Sequence, residues 1–304
     1  MSIDEILADS ISNQFTANTR LNLFYKNLDF HSHFLEETRN VIKNYKTDLL
    51  RMDNENQSGK WVDLMTERAL TTFCYNNQFI DTRKEKVAEL QNLYKILWDE
   101  IVEEIRSDEI NFDSLQKSHL NRLSDWLSKT NGFIKDINNP ESEFTPDVAC
   151  SEYSPQFQLK LFNINPETLV EPVLDIGCGR NANLVRYLRS KGIEAYGLDR
   201  LCTGDEKYFR VDWLDFEFLP HSWGTIISNL SFALHFTNHH HRKDGEYILY
   251  ARKYMEILNS LKIPGAFYYA PGLPFIEAHL PKDKFKMFTH RINEDFSYTK
   301  ISTI

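Results

Sequence analysis

The sequence predicts an α/β fold: a mostly parallel, seven-stranded sheet with helices on both faces, preceded by an all-helical N-terminal region. Three observations predict it. Apolar residues recur at helical spacing through about the first 130 residues. From about residue 150, short apolar runs alternate with amphipathic stretches, the pattern of strand–helix units. One such run ends in "VLDIGCGRNANLVRYL", where a buried-type strand breaks into Gly177 and Gly179 and then opens into a helix.

The helical region is read from its spacing. In "VAELQNLYKILWDEIVEEI" the residues Leu90, Leu93, Leu97, Ile101 and Ile105 recur every three or four positions. "DSLQKSHLNRLSDWL" repeats this through Leu115, Leu120, Leu123 and Leu127, with Asp113 or Ser114 as its cap. "MDNENQSGK", Met52 to Lys60, has no periodicity and is expected to be a mobile loop. Between Asn131 and Cys150, Gly132, Pro140 and Pro146 among acids and asparagines give linker composition. The boundary therefore separates a helical region, 1–145, from a second domain, 146–304.

In the second domain "PVLDIG", "IEAYGLD", "KYFRVDW", "GTIISNL" and "AFYYA" read as five strands. "NLVRYLRSKG" is a helix with Leu184, Val185 and Leu188 facing inward, stopped by Gly192. "EYILYARKYMEILNSLKIPG" is a long amphipathic helix closed by Pro264 and Gly265. The tail, "FKMFTHRI" to "FSYTKISTI", supplies two final strands joined by the turn "NED".

Composition narrows the function classes. Of 304 residues, 41% are apolar and 26% charged, the balance of a soluble globular protein. A formal net charge of −9 repels a phosphate backbone, which argues against nucleic acid as a partner. Cys74, Cys150, Cys178 and Cys202 form no C-x-x-C pair, so reduced thiols are expected. Asp4, Glu5 and Asp9 make the first residues unlike a signal peptide, and no apolar run reaches the roughly 20 residues that span a bilayer. A cytoplasmic protein without a membrane partner is the expectation. The sequence is silent on oligomeric state.

The glycine loop fits two cofactor classes. Gly177, Gly179 and Ala182 satisfy G-x-G-x-x-G/A, and Asp199 follows at the distance of a dinucleotide fingerprint. Asp175 decides between the two. A pyrophosphate beside that carboxylate would be repelled, whereas a ligand bearing ammonium and sulfonium cations would be attracted. "VLDIGCG" resembles motif I of the class I S-adenosylmethionine-dependent methyltransferases, apolar-D-x-G-x-G, at Val173, Leu174, Asp175, Gly177 and Gly179.

The resemblance implies a Rossmann-like domain with S-adenosyl-L-methionine as cofactor. It implies that the loop of Gly177, Cys178, Gly179 and Asn181 places the methionine portion. Asp199, with Arg200 beside it, would fix the ribose, and Asp212 with Trp213 the adenine, although "DWLDFE" also offers Asp215. Tyr153 or Gln158 would reach the methionine carboxylate, and Asn229, in "IISNLSFALHF", would stand near the reactive methyl group. Two positions depart from the family's pattern. Asn181 stands where a third glycine is common and is expected to tolerate the left-handed turn, and Gly224 stands where the fourth strand usually opens with an acid.

His235 follows the fourth strand and is the candidate base, since imidazole titrates near neutrality. Methyl transfer can also proceed on proximity and alignment alone. His239, His240 and His241 read as a solvated loop rather than a metal site, and so do His31 and His33. Cys178 reads as a small apolar filler, with a reactive thiol as the other option. Phe267, Tyr268 and Tyr269 either wall a substrate pocket or belong to the core. The reading that results is methyl transfer to an O or N nucleophile of a small molecule or natural product. Its alternatives are a peptide or protein acceptor, an NAD-dependent oxidoreductase using the same loop, and a non-catalytic binding protein. The lack of an "NPPY"-type tetrapeptide at "SNLS" weakens adenine or glutamine N-methylation. The N-terminal helices are expected to cap the site and select the substrate.

Overall fold

A computed structural model describes residues 2–25, 34–131, 133–134, 141–142, 144–145, 153–293 and 296–304. The chain divides into two units, Met1–Cys150 and Ser151–Ile304. In the first, the helical periodicity becomes α1 (Ile3–Ala17), α2 (Glu36–Asn44), α3 (Lys46–Asn54), α4 (Gly59–Asn76), α5 (Lys84–Ser107) and α6 (Phe112–Thr130). A capping box between Ser2 and Glu5 opens α1. The leucine stripe of α5 and α6 faces inward, with Leu90, Leu97, Ile105, Leu115, Leu120, Leu123 and Leu127 all buried.

Three expectations about this unit change. The "MDNENQSGK" loop is short: Met52 belongs to α3 and is buried, Gly59 and Lys60 open α4, and only Glu55–Ser58 connect them. Local polarity hides a helix end that tertiary packing keeps. The cap of α6 is Asn111, whose Oδ1 accepts from the Ser114 N–H at 3.0 Å, ahead of the expected positions. The described part of the linker is tied to the first unit: Thr145 N–H donates to the Arg20 carbonyl at 2.8 Å, and Asn22 Nδ2 to the Ser142 carbonyl at 2.9 Å. Gly132, Pro140, Pro146, Cys150, His31 and His33 lie outside the described residues.

The second unit contains α7 (Pro155–Leu161), β1 (Val173–Ile176), α8 (Asn183–Ser190), β2 (Ala195–Leu198), β3 (Tyr208–Phe209) and β4 (Trp223–Asn229). It continues with α9 (Phe232–His241), α10 (Tyr247–Asn259), β5 (Leu261–Ala270), α11 (Pro274–Glu277), β6 (Phe285–Arg291) and β7 (Ser297–Thr303). The seven strands form one sheet in the order β3-β2-β1-β4-β5-β7-β6. Every pairing from β3 to β5 is parallel, and β7 runs antiparallel to both β5 and β6. This is a Rossmann-like α/β sheet, mixed rather than wholly parallel.

Alternation along the central strands sends side chains to two cores. Leu174, Ile176, Ile226 and Phe267 join the cluster packed with Phe232, Phe236, Tyr250 and Tyr254 of α9 and α10. Val173, Ile227 and Ala270 join the cluster with Leu184, Val185 and Leu188 of α8 and Leu159 of α7. Gly192 (φ 82°) ends the chain reversal after α8, as expected.

The strand readings also need adjustment. β3 has only Tyr208 and Phe209, so Val211 to Trp213 lie in the turn beyond it. α10 stops at Asn259 rather than at Pro264, and Leu261 already pairs with Trp223 as β5 begins. His239, His240 and His241 end α9 rather than forming a loop: His239 Nδ1 accepts from the Glu246 N–H at 3.0 Å, and the His240 ring stacks on Phe275 at 3.9 Å. Glu294 and Asp295 of the expected "NED" turn lie outside the described residues. Gly224 has a packing reason, because a Cβ there would meet the Val170 carbonyl oxygen at 2.3 Å.

Candidate functional site

The strand order reverses between β1 and β4, and a crevice at such a switch point, beyond the carboxyl ends of the strands, is where open parallel sheets bind ligands. The candidate residues converge there. Asp175, near the end of β1, has 2% of its surface exposed. Burial first, and the neighbouring Asp199 charge second, push its carboxyl up to about 8. Gly177 (φ 77°) and Gly179 (φ 75°) then turn the chain through the left-handed region.

The loop is held from within. Gly177 N–H donates to the Leu198 carbonyl at 2.7 Å, and Gly179 N–H donates to Asp199 Oδ2 at 3.1 Å. The other carboxylate oxygen of Asp199 accepts from the Leu201 N–H at 2.7 Å. Asp199 thus cross-links the loop after β1 to the turn after β2.

A second set of contacts comes from the end of β4. Ser231 Oγ donates to the Ile176 carbonyl at 2.6 Å and lies 2.7 Å from Ser228 Oγ. A Cβ on Gly177 would meet Ser231 Cβ at 2.3 Å, and Trp213 Cζ3 at 3.5 Å. Gly177 is therefore pressed between the start of α9 and the Trp213 ring. Ser228 and Ser231 escape a reading of the sequence. Their one signal is the "SNLS" spacing, two small hydroxyls bracketing a strand end, which carries no periodicity.

Trp213 is buried, stands nearly perpendicular to His235 with ring centroids 4.7 Å apart, and leaves its indole Nε1 buried without a partner. Asn229, at the end of β4, is 9% exposed, and both polar atoms of its amide are likewise buried and unpartnered. Buried polar atoms are nearly always hydrogen-bonded, so the Asn229 amide at the end of β4 and the Trp213 indole in the turn after β3 stand without the partners such atoms ordinarily have.

Other candidates take more modest places. Asp212 Oδ1 accepts from the Leu214 N–H at 3.0 Å, which shapes the turn that presents Trp213. Asn181 is exposed, and the left-handed residue of the turn is Ala182 (φ 46°), a correction to the expectation that Asn181 would take that role. Ala182 is fully buried, and that packing holds the strained conformation. Gln158 is buried and donates from Nε2 to the Tyr153 carbonyl at 3.1 Å, while the Tyr153 ring stacks on Phe157. Both side chains thus help fix the start of α7. Cys178 packs where Gly197 leaves room, its Sγ 2.8 Å from a Cβ built on that glycine. A thiol–thiol hydrogen bond with the free Cys202, burial, and the Asp175 and Asp199 carboxylates raise the thiol pKa, so Cys178 is a filler and not a ready nucleophile.

His235 is 4% exposed, and burial, with the nearby charges of Arg200 and His239, lowers its pKa well below the ordinary value. The ring is a neutral and weak base, which counts against the expected proton-accepting role. Phe267 and Tyr269 are fully buried. Tyr269 donates to Glu277 Oε1 at 2.6 Å and meets the Tyr254 hydroxyl at 2.8 Å. Both therefore belong to the core rather than to a pocket wall. Among the described residues no group of His, Cys, Asp and Glu could hold a metal ion.

No family model and no curated protein matches the chain. Solved structures similar to it include a Pyrococcus horikoshii protein, at 14% identity over 58% of this chain and 97% of that one, with a TM-score of 0.34. The 1,6-didemethyltoxoflavin-N1-methyltransferase of Burkholderia thailandensis is 15% identical over 43% of this chain and 69% of its own, with a TM-score of 0.30. The phosphoethanolamine N-methyltransferase 2 of Haemonchus contortus is 13% identical over 49% of this chain and 52% of its own, with a TM-score of 0.33. Likeness at that level leaves the ligand to be read from the residues of the site itself.

Proposed function

We propose that the second unit binds S-adenosyl-L-methionine and that the protein transfers its methyl group to an O or N nucleophile of a small molecule. The observation that carries this reading is the pair of carboxyl groups, Asp175 and Asp199, at a loop whose glycine N–H groups are already spent. A dinucleotide site offers free backbone donors to a pyrophosphate. Here the N–H groups of Gly177 and Gly179 point at the Leu198 carbonyl and the Asp199 carboxylate. The Asp199 carboxylate, beside an Asp175 that a nearby cation would deprotonate and two occupied donors, suits a cationic ligand better than an anionic one.

The residues fit the proposed cofactor. Asp175 would face its cationic methionine portion, Asp199 would accept from the ribose hydroxyls, and the Trp213 ring and Asp212 would stand towards the adenine. The unpartnered amide of Asn229 and indole Nε1 of Trp213 supply polar contacts that the fold leaves unused. When bound, the cofactor supplies a methyl group on a positively charged sulfur with a neutral thioether as leaving group. The chain's own task is to hold the acceptor in line and keep water out, which accounts for a large part of the acceleration in such transfers. A neutral His235 is suited to orienting Trp213 and accepting a hydrogen bond, not to storing a proton. The net charge of −9 supports a small acceptor over nucleic acid.

Calorimetric titration of the whole chain with S-adenosylhomocysteine, with NADH in a parallel cell, tests the reading. Micromolar binding of the first and none of the second is expected. NADH binding without S-adenosylhomocysteine binding would overturn it.

A further inference from the structure

The helical unit holds a partly open cavity of about 170 Å³, lined by its helices together with Asn18, Leu21, Leu23 and Phe34 of the segments beside α1 and α2. Leu7, Phe15, Leu97, Val102 and Leu123 contribute to its walls, and no charged side chain lines it among the described residues. Voids of this size are rare in native cores, because the lining atoms forgo contacts and the surrounding chain tends to collapse. A dry apolar cavity of comparable size, about 150 Å³, takes up a benzene-sized molecule.

One polar group interrupts the apolar wall. His119 lines the cavity, is 8% exposed, and its Nδ1 is buried without a hydrogen-bond partner. Its ring packs against Tyr94 with centroids 5.0 Å apart. Burial and the Arg122 charge hold its pKa down at about 3, so the imidazole is neutral. Other polar lining groups face bonds within the unit: Gln116 Oε1 accepts from the Phe34 N–H at 3.0 Å, Gln14 Oε1 from the Leu35 N–H at 2.8 Å, and Ser10 Oγ donates to Thr38 Oγ1 at 3.4 Å. An orphaned imidazole nitrogen in a largely apolar chamber is costly unless something fills the chamber and pairs with it.

We infer that the helical unit binds a neutral, largely apolar small molecule in this cavity, with a single hydroxyl- or carbonyl-type group of the ligand paired to His119 Nδ1. The absence of charge among the described lining residues disfavours ions, and the unpartnered nitrogen selects among neutral ligands. This inference does not rest on the glycine loop or on its cofactor.

The test uses the full chain and three probes of matched shape: p-cresol, toluene and 4-methylbenzoate. Calorimetry should show p-cresol binding about fivefold more tightly than toluene, the worth of one neutral hydrogen bond, and no binding of 4-methylbenzoate. His119→Phe should keep toluene binding and abolish the preference for p-cresol. Ala69→Leu, which fills the chamber from a buried lining position, should weaken both neutral probes at least about tenfold. If Ala69→Leu does not fold, the His119→Phe ratio decides, because it compares two ligands on one protein. No binding of p-cresol or toluene would overturn the inference. So would equal binding of 4-methylbenzoate, or a p-cresol preference that survives His119→Phe.

Discussion

The Gly179 N–H donates to Asp199 Oδ2 at 3.1 Å, so the acid that follows β2 also holds the loop that follows β1. A carboxylate with one oxygen on Gly179 and the other on the Leu201 N–H is fixed in orientation before any ligand arrives. Preorganisation of that kind lowers the ordering cost of binding. It also means that removing Asp199 disturbs two things at once, and they can be separated.

Asp199→Ala should weaken S-adenosylhomocysteine binding by about 1–3 kcal/mol, the usual cost of losing a charge-assisted hydrogen bond. It should also lower stability in urea, because two backbone N–H groups lose their acceptor. Asp199→Asn keeps one acceptor oxygen and sets an NH2 against the other N–H, so it should restore only part of the stability while leaving affinity low. Affinity unchanged in both variants would remove Asp199 from the site.

Gly177→Ala should be poorly tolerated. Its φ of 77° costs an alanine about 1–2 kcal/mol, and the added Cβ would meet Ser231 Cβ at 2.3 Å. Adding Ser231→Gly should recover the steric part, less what is lost with the hydrogen bond from Ser231 Oγ to the Ile176 carbonyl, but not the conformational part. Urea midpoints of the single and double variants check this. A double variant as stable as the parent would mean that the loop relaxes out of the left-handed region.

Much of this site is legible in the sequence, and the missing parts share a cause. Asp175, Gly177, Gly179 and Asp199 stand out because strand ends and glycine breaks are local features, set by nearest neighbours. The inward leucines of α5 and α6 are equally plain from period alone. Ser231 is invisible there because its partner, the Ile176 carbonyl, lies on another strand. The left-handed turn passes to Ala182 because tertiary burial outweighs the local preference of Asn181. The end of α10 is hard to place because "LNSLKI" has apolar spacing that a helix and a strand can both use. The cavity beside His119 has no signature in sequence at all, since His119 reads there as one more position on the stripe of α6.

Asp175 predicts a pH dependence with a definite sign. Its carboxyl is raised from 3.8 to about 8 in the folded chain, so the folded state binds the proton more tightly than the unfolded one. That contribution to stability is complete below about pH 4 and is lost as pH rises through about 8. Urea midpoints measured between about pH 5 and pH 8.5 should fall for the parent and stay flatter for Asp175→Asn, which keeps the shape without the charge. Binding of a cationic ligand should reverse the preference and expel the proton. Calorimetry near neutral pH in buffers of different ionisation enthalpy should therefore record proton release on binding of S-adenosyl-L-methionine, which carries the sulfonium charge, absent in Asp175→Asn. Proton uptake would contradict a cation at Asp175.

Asn229 offers the sharpest separation of fold from function. Its amide nitrogen and oxygen are both buried and both unpartnered, so the fold without ligand carries their desolvation cost and gains nothing in return. A residue kept only for packing would be expected to have partners or an apolar side chain. Asn229→Ala should therefore melt no lower than the parent, apart from the small cavity it leaves, since it deletes two unsatisfied groups. The same variant should bind S-adenosylhomocysteine about fivefold to tenfold more weakly, the loss of one hydrogen bond made only in the complex. Thermal melting and calorimetry on one preparation read both quantities. A fall in stability with unchanged affinity would make Asn229 a structural residue and take it out of the cofactor site. Unchanged stability with weakened affinity would show that β4 ends in an amide reserved for the ligand.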